Sequence, residues 1–452
     1  MKYFGTDGIR GIANEKLTPE FVYKIAKAGA YVLTKHVKDG EVPKIIIGRD
    51  TRISGTLLES AMVSGFLSMG ANVELVGVIP TPAIAYLTKK KNMDMGVVIS
   101  ASHNSYEYNG IKFFSNRGTK ISDEIEEEIE KAIDKETFLK KKVESQSIGI
   151  SKTKEELSKE YSRFVTNIFK DDIKEHNRDD FVVGIDTANG ATYKISEQIF
   201  KALGIKYRII NNIPNGININ KNCGSTHLEG IKKFVTENKL NMGIAYDGDG
   251  DRCITIDEKG NEINGDYILA IISNYLKDNN KLEKNRLVAT VMSNLGLKKY
   301  AEKKGIEMVQ TKVGDRYVLE EMLKNGGNFG GEQSGHIIMS DINLTGDGIV
   351  TSLILIKIIL QSKKKLSELC EIIKIYPQIL VNVRVKEFDM DKYPEILEEI
   401  SRTEKELNGD GRVLIRKSGT EPLIRVMLEG KDEKYIKNAA NNIAKIIEKK
   451  MG

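Results

Sequence analysis

Three carboxylates stand at i, i+2 and i+4 in Asp247-Gly248-Asp249-Gly250-Asp251-Arg252. In an extended loop that spacing points all three side chains one way. The intervening glycines let the backbone curl so that the oxygens converge. A hard, all-oxygen donor set without His or Cys suits Mg²⁺. Glu258 falls at the twelfth position, as in an EF-hand, but Arg252 fills the sixth, where that loop requires glycine. The flanks Ile244-Ala245-Tyr246 and Cys253-Ile254-Thr255-Ile256 also read as strands, not helices. An acidic turn is the plain alternative, but three crowded carboxylates repel unless a cation or protons neutralise them.

A second cluster, Ser100-Ala101-Ser102-His103-Asn104, precedes Asn109-Gly110-Ile111-Lys112 and directly follows an apolar run. A Ser-His hydrolase pair is one reading. It lacks a Gly-x-Ser-x-Gly elbow, and adjacent residues rarely meet as nucleophile and base. A helix N-cap is another. A serine that carries a phosphoryl group, its oxygens on the metal, joins this loop to the aspartate loop in one chemistry. A third cluster, Arg416-Lys417-Ser418-Gly419-Thr420-Glu421-Pro422 with Arg425, reads as a phosphate cradle of hydroxyls, an exposed amide and guanidinium groups, or as a polar hairpin. In Gly330-Gly331-Glu332-Gln333-Ser334-Gly335-His336, Glu332 and Ser334 alternate along an extended loop, placed to bond sugar hydroxyls; a glycine-rich turn is the competing reading. Cys223 and His227 have no second ligand pair, so zinc is not expected.

These loops need elements to position them, and a repeated pattern supplies candidates. Lys44-Ile45-Ile46-Ile47, Gly96-Val97-Val98-Ile99, Phe181-Val182-Val183-Gly184-Ile185, Met242-Gly243-Ile244-Ala245-Tyr246 and Leu287-Val288-Ala289-Thr290-Val291 each run into a loop of Gly, Asp, Ser or Asn. Buried-type strands alternating with helical segments predict α/β layers. Ligands then sit at the carboxyl ends of strands. Composition shifts predict four domains: 1–155 with the serine loop, 156–254 with the aspartate loop, 255–370 with the glycine-rich loop and 371–452 with the cradle. The first ends in Glu/Lys-rich helices on either side of a loop at 145–151. The last reads as a small α+β unit, from the alternating run after Pro377 to a helix ending near Lys449.

Length and composition bound the function. At 452 residues, 40% hydrophobic and 29% charged, the chain has material for several cores without disulfide staples. Its 3 cysteines are scattered, as in a reduced, cytoplasmic protein. The first residues lack a signal-peptide apolar region. The longest apolar run, 349–360, is too short and interrupted to span a bilayer, so no membrane role is expected. A net charge of +5 from 69 basic and 64 acidic residues, with no basic stripe, does not suggest a nucleic-acid binder, and none is expected.

With the four loops in hand, the chain resembles the α-D-phosphohexomutase superfamily over nearly its whole length and in the family's order. Phe4-Gly5-Thr6-Asp7-Gly8-Ile9-Arg10-Gly11 resembles the N-terminal signature; 100–104, 247–252, 332–336 and 416–422 resemble the phosphoserine, metal, sugar and phosphate loops. Asn218-Ile219-Asn220, Cys223-Gly224-Ser225-Thr226-His227, Thr290-Val291-Met292-Ser293-Asn294-Leu295-Gly296, Thr311-Lys312-Val313-Gly314-Asp315-Arg316-Tyr317 and Gln333 resemble the bacterial branch that acts on glucosamine phosphates. Ser105 departs from the proline usual after His-Asn, which loosens a φ restraint.

The resemblance implies three similar α/β domains with mixed sheets and a smaller C-terminal α+β domain around a central cleft. It implies interconversion of glucosamine 6-phosphate and glucosamine 1-phosphate, supplying amino-sugar precursors of UDP-N-acetylglucosamine and peptidoglycan. Glucose or mannose phosphates are the alternative substrates, and a metal-dependent sugar phosphatase the alternative activity. Ser102 would carry a covalent phosphate; one Mg²⁺ per subunit would rest on Ser102, Asp247, Asp249 and Asp251; a hexose 1,6-bisphosphate would be intermediate and activator. Arg10, Lys112 and Arg252 would add positive charge near the transferred group, His103 and Lys112 would lie near the proton transfers, and His336 would assist at the sugar side. Glu332 and Ser334 would hold the sugar; Arg416, Ser418, Gly419, Thr420 and Arg425 would hold the non-reacting phosphate. A homodimer is the family expectation.

Overall fold

The computed structural model describes residues 2–5, 7–38, 40–386, 389–417 and 423–452. The chain divides into two compact units, residues 1–292 with 306–371 and residues 293–305 with 372–452.

The larger unit holds three sheets. The first has seven strands: β1 (Phe4–Gly5), β2 (Gly8–Ile12), β3 (Lys44–Arg49), β4 (Asn72–Val78), β5 (Met95–Ile99), β6 (Tyr108–Ser115) and β7 (Ser151–Thr153), in the order β1-β2-β6-β5-β3-β4-β7. Helix α1 (Pro19–Leu33) precedes β3. The β-branched runs of β3 and β5 are buried and pair in parallel. Parallel neighbours need long crossovers, here α2 (Gly55–Ser68) and α3 (Thr81–Lys90) on either side of β4. Residues 100–107 are too short a segment for a crossover, so β6 returns antiparallel to β5. That return leaves the serine loop at the carboxyl end of a fully buried strand. Residues 145–151, read as a loop, end in β7, which adds to β4 in parallel. Its three exposed polar residues carry no strand pattern. Helices α4 (Asp123–Lys135) and α5 (Leu157–His176) flank it in sequence.

The second sheet holds β8 (Val182–Asp186), β9 (Lys206–Ile210), β10 (Met242–Tyr246), β11 (Cys253–Asp257) and β12 (Glu262–Ile263), in the order β12-β11-β10-β8-β9. Helices α6 (Ile195–Ala202) and α7 (Glu229–Glu237) link its parallel strands. β10 and β11 are antiparallel, closed by the Tyr246–Cys253 pair, so the aspartate loop is their connection. After α8 (Gly265–Asp278), the third sheet pairs β13 (Arg286–Thr290), β14 (Glu307–Thr311), β15 (Phe329–Gly331) and β16 (Ile337–Met339) in the order β14-β13-β15-β16. Helix α9 (Leu295–Lys304) belongs to the smaller unit; α10 (Asp315–Asn325), α11 (Gly348–Ser362) and the single turn α12 (Leu366–Leu369) belong to the larger. The long apolar run forms α11, buried almost all round. Among the described residues no helix is long and apolar enough to cross a membrane.

The smaller unit is an antiparallel sheet of β17 (Gln378–Arg384), β18 (Gly411–Lys417) and β19 (Leu423–Gly430), in the order β17-β19-β18, with α13 (Pro394–Leu407) and α14 (Glu433–Met451). Val383, Ile424, Val426, Ile436 and Ile443 form its core. Three mixed α/β sheets and one smaller α+β unit are the expected fold class.

Candidate active site

The aspartate loop is a tight turn rather than an extended segment. Gly250, at φ 71°, donates its N–H to Asp247 O at 3.2 Å and curls the chain. Gly248 answers a different demand: a Cβ there would lie 2.5 Å from Ser102 O. The aspartate loop thus rests directly on the serine loop. Asp247, Asp249 and Asp251 are buried, and each presents an oxygen within 4.8 Å of the others'. Thr81 Oγ1 donates to Asp249 Oδ2 at 2.6 Å.

Ser102 is buried and left-handed, with φ 52°. For a non-glycine residue this costs about 1–3 kcal/mol and persists only where surroundings over-determine it. Its Oγ donates to Asp247 Oδ2 at 2.6 Å and lies 3.4 Å from His103 Nδ1. Burial, then the charges of Arg252 and Arg10, push the His103 imidazole down to about 4. It is neutral at neutral pH, next to the serine hydroxyl.

A closed circuit of alternating charge surrounds the aspartate loop. Lys112 Nζ lies 2.7 Å from Asp249 Oδ2, 3.3 Å from Asp251 Oδ2 and 2.8 Å from Asp7 Oδ2. Lys120 Nζ bridges Asp7 at 2.6 Å and Asp315 at 2.7 Å. His336 completes the circuit, with Nε2 3.0 Å from Asp315 Oδ2 and Nδ1 3.7 Å from Asp251 Oδ1. Burial opposes the Lys112 charge, but Asp249, Asp7 and Asp251 outweigh it and hold the ammonium well above its usual range. Burial opposes the imidazolium of His336 too; Asp315 and Asp251 outweigh it and raise its pKa to about 10. The Gly346 N–H, 2.9 Å from Nε2, asks for the opposite proton state. Two flanking carboxylates outweigh one amide dipole, so the ring is cationic. Arg10 joins the circuit through Asp7 Oδ2 at 2.7 Å, and the backbone N–H of Arg252 donates to Asp247 Oδ1 at 3.2 Å.

The donor set fits a divalent cation. Asp249 Oδ1 is buried without a hydrogen-bond partner, and Asp251 Oδ1 has only the His336 ring at 3.7 Å, an expensive condition that a cation relieves. Burial and then the carboxylates of Asp251 and Asp249 push Asp247 well above the usual carboxylate range. That is the electrostatic deficit of a site built for positive charge.

Glu332 and Ser334 sit in a turn between β15 and β16, not in an extended loop; Gly335 N donates to Glu332 O at 3.0 Å. Glu332 Oε1 accepts the Gly314 N–H at 3.1 Å, and Ser334 Oγ is buried without a partner. In the smaller unit Arg416 and Arg425 stand directly opposite on β18 and β19. Ser418, Gly419 and Thr420 lie outside the described residues. The structure thus brings together Ser102, His103, Lys112, Arg10, Arg252, His336 and the three aspartates. Sequence reasoning missed Asp7, Lys120 and Asp315 as members. Asp7 and Asp315 lie within the segments quoted for the resemblance, whereas Lys120 carries no local signal.

A buried serine lies against a carboxylate triad at the carboxyl ends of two strands, an arrangement suited to phosphoryl transfer in an α/β enzyme. Comparison with known proteins specifies the class. Models of the phosphoglucomutase/phosphomannomutase alpha/beta/alpha domains I, II and III match residues 1–140, 159–260 and 264–376, and the model of its C-terminal domain matches 380–446. The chain is 52% identical over 452 residues to the phosphoglucosamine mutase of Clostridium tetani, covering 99% of each chain. It is 53% identical over 454 residues to that of Clostridium botulinum strain Kyoto, covering 100% of this chain and 99% of the other. A crystal structure of a phosphoglucomutase/phosphomannomutase family protein from Burkholderia thailandensis shares the fold, at TM-score 0.82 and 20% identity over 100% of this chain and 98% of the other. The chain belongs to the phosphoglucosamine mutase branch of the phosphoglucomutase/phosphomannomutase family. It is a mutase, an enzyme of the isomerase class.

Proposed function

We propose that the chain interconverts glucosamine 6-phosphate and glucosamine 1-phosphate through a phosphorylated Ser102. The observation that carries this reading is the 2.6 Å contact of Ser102 Oγ with Asp247 inside a buried carboxylate triad. The names of relatives at 52% and 53% identity over the full length support the amino sugar.

In the forward half-reaction the bond between Ser102 Oγ and phosphorus breaks as phosphorus bonds to the free sugar hydroxyl, giving a hexose 1,6-bisphosphate. In the second half-reaction Ser102 Oγ attacks the other phosphate of that bisphosphate. As phosphorus bonds to the sugar oxygen, the hydroxyl's proton is released and ends on Ser102 Oγ; in the second half-reaction the serine proton ends on the departing sugar oxygen, and His103, neutral and 3.4 Å from Oγ, holds it in transit at Nδ1. Lys112, Arg10 and Arg252 offset the charge of the phosphoryl oxygens. His336, fixed between Asp315 and Asp251, assists at the sugar side through its positive charge. Glu332 and the unpartnered Ser334 hydroxyl bond sugar hydroxyls. Arg416 and Arg425, with Ser418, Gly419 and Thr420, hold the phosphate that is not reacting. Mg²⁺ held by Asp247, Asp249 and Asp251 would supply charge neutralisation at the phosphoryl group. A homodimer, a cytoplasmic setting and domain limits near 155, 254 and 370 complete the proposal.

The test is a coupled assay of glucosamine 1-phosphate formation with Mg²⁺ and a trace of hexose 1,6-bisphosphate, with glucose and mannose phosphates alongside. Preference for the amino sugar, lost in Ser102→Ala, is the expected result. Equal rates on the other sugars overturn the substrate assignment; full activity in Ser102→Ala overturns the phosphoserine. Free phosphate released in step with substrate loss identifies a phosphatase.

A further inference from the structure

Ser102 holds its left-handed conformation in a turn with one described backbone bond of its own, Asn104 N to Ala101 O at 3.1 Å. The restraint comes from outside. Arg52 Nη2 donates to Ser102 O at 3.0 Å and to Asn104 O at 2.8 Å, and Nη1 donates to Ser105 O. Asn220 Nδ2 donates to the same first two carbonyls, at 2.8 and 2.9 Å. Arg52 is 1% exposed and Asn220 5%. One amide group thus spends both of its N–H bonds on the serine turn.

Arg52 is itself fixed. Its Nε donates to Asp50 Oδ2 at 2.8 Å and its backbone N–H to Asp50 Oδ1 at 2.9 Å. Ser100 Oγ donates to the same Asp50 Oδ2 at 2.6 Å and accepts the Ser102 N–H at 2.9 Å. Both backbone polar groups of Ser102 therefore end on side chains. Burying a guanidinium is costly unless its donors are used, and apolar packing would fill the space more simply. Its rigid planar fork fixes direction, which apolar packing does not. Asn220 anchors the turn from the second sheet's side of the unit, its own N–H held by Ala188 O at 2.9 Å.

We propose that Arg52 and Asn220 are positioning residues for phosphoryl transfer: they lock the Ser102 turn in its left-handed form and thereby fix the aim of Oγ. The proposal rests on Ser102 as the phosphate carrier. Without the clamp the 102–103 peptide is free to rotate, and a misplacement of about 1 Å costs on the order of a hundredfold in rate. The clamp also restrains the loop at Ser105 from the outside, where a proline would do so from within.

Asn220 has φ 57°, so Asn220→Gly removes both donors without a backbone penalty. Asn220→Asp keeps the shape but turns acceptors toward two carbonyl oxygens. Arg52→Lys keeps the charge beside Asp50 but cannot span three carbonyls. Each full-length variant is incubated with Mg²⁺ and hexose 1,6-bisphosphate. Phosphate on Ser102 is followed by intact mass, transfer to sugar phosphate by single turnover, and kcat, KM and melting temperature are recorded. The wild type should take up one phosphate at Ser102. Asn220→Gly and Arg52→Lys should transfer about tenfold to a hundredfold more slowly, with KM within about twofold, and Asn220→Asp more slowly still. Transfer within about twofold of wild type in both Asn220 variants overturns the clamp, as does a loss fully accounted for by the unfolded fraction. A wild type that takes no phosphate on Ser102 overturns the carrier assignment instead, and the clamp with it.

Discussion

Asp315 and His336 meet at 3.0 Å, carboxylate oxygen to ring nitrogen, although they come from different loops of the third sheet. The carboxylate fixes both the charge and the direction of the ring. Asp315→Asn should therefore lower kcat roughly tenfold to a hundredfold while leaving the fold intact. Steady-state rates on glucosamine 1-phosphate, with circular dichroism as control, decide it. Wild-type kcat in the variant would remove Asp315 from the machinery.

Asp249 Oδ1, buried without a hydrogen-bond partner, and Asp251 Oδ1, which meets His336 Nδ1 only at 3.7 Å, leave the aspartate loop short of positive charge without a cation. At ~100 times its Kd, a ligand that binds only the folded state stabilises it by about 2.7 kcal/mol. Mg²⁺ should raise the melting temperature of the wild type and fail to raise that of Asp249→Asn. Titration calorimetry should show the matching loss of binding. Equal Mg²⁺ responses in the two proteins would place the ion elsewhere.

Gly248 has no room for a side chain, since its Cβ would stand 2.5 Å from Ser102 O. Gly248→Ala must push the serine and aspartate loops apart. The expected cost is about 1–3 kcal/mol in denaturant unfolding, with a larger proportional loss of activity. A variant that loses stability but keeps full kcat would show that the contact serves packing alone.

Glu126 lies on α4, with Oε2 3.1 Å from Arg316 Nη1. Burial raises its carboxyl from 4.5 to about 7, against the pull of Arg316. A raised acid disfavours the ionised folded state, so stability is lost as pH climbs from the unfolded value through the folded one. Glu126→Gln removes that loss. Its unfolding midpoint, relative to wild type, should improve between about pH 5 and about pH 8. A difference that is flat across that window would refute the raised pKa.

The loops that carry the chemistry were legible because each is a dense local cluster after an apolar strand. Spacing alone singles out the three aspartates, whereas Ser102 stands among three readings of its loop until the resemblance singles it out. The shape of the aspartate loop could not: the convergence follows from the positive φ of Gly250 rather than from strand alternation. Asp7, Lys120 and Asp315 were invisible as a group because their link is spatial. Each lies in a separate segment, and only the packing of the first and third sheets brings them together. Arg52 and Asn220 were hidden for the same reason, and β7 because a short exposed edge strand needs no apolar pattern. Arg416 and Arg425 read as cradle candidates from their local cluster; that they stand opposite on β18 and β19 is visible only in the fold.

The serine turn also sets an order of events in the life of the chain. Ser102 leaves the ribosome early, but Asn220, Gly248 and the aspartates that complete its surroundings are synthesised much later. A nascent or truncated chain ending before Asp251 would display a serine with neither its aim nor its counter-charge. On the proposed role of Ser102, priming by phosphate would thereby be reserved for molecules whose second sheet has already folded.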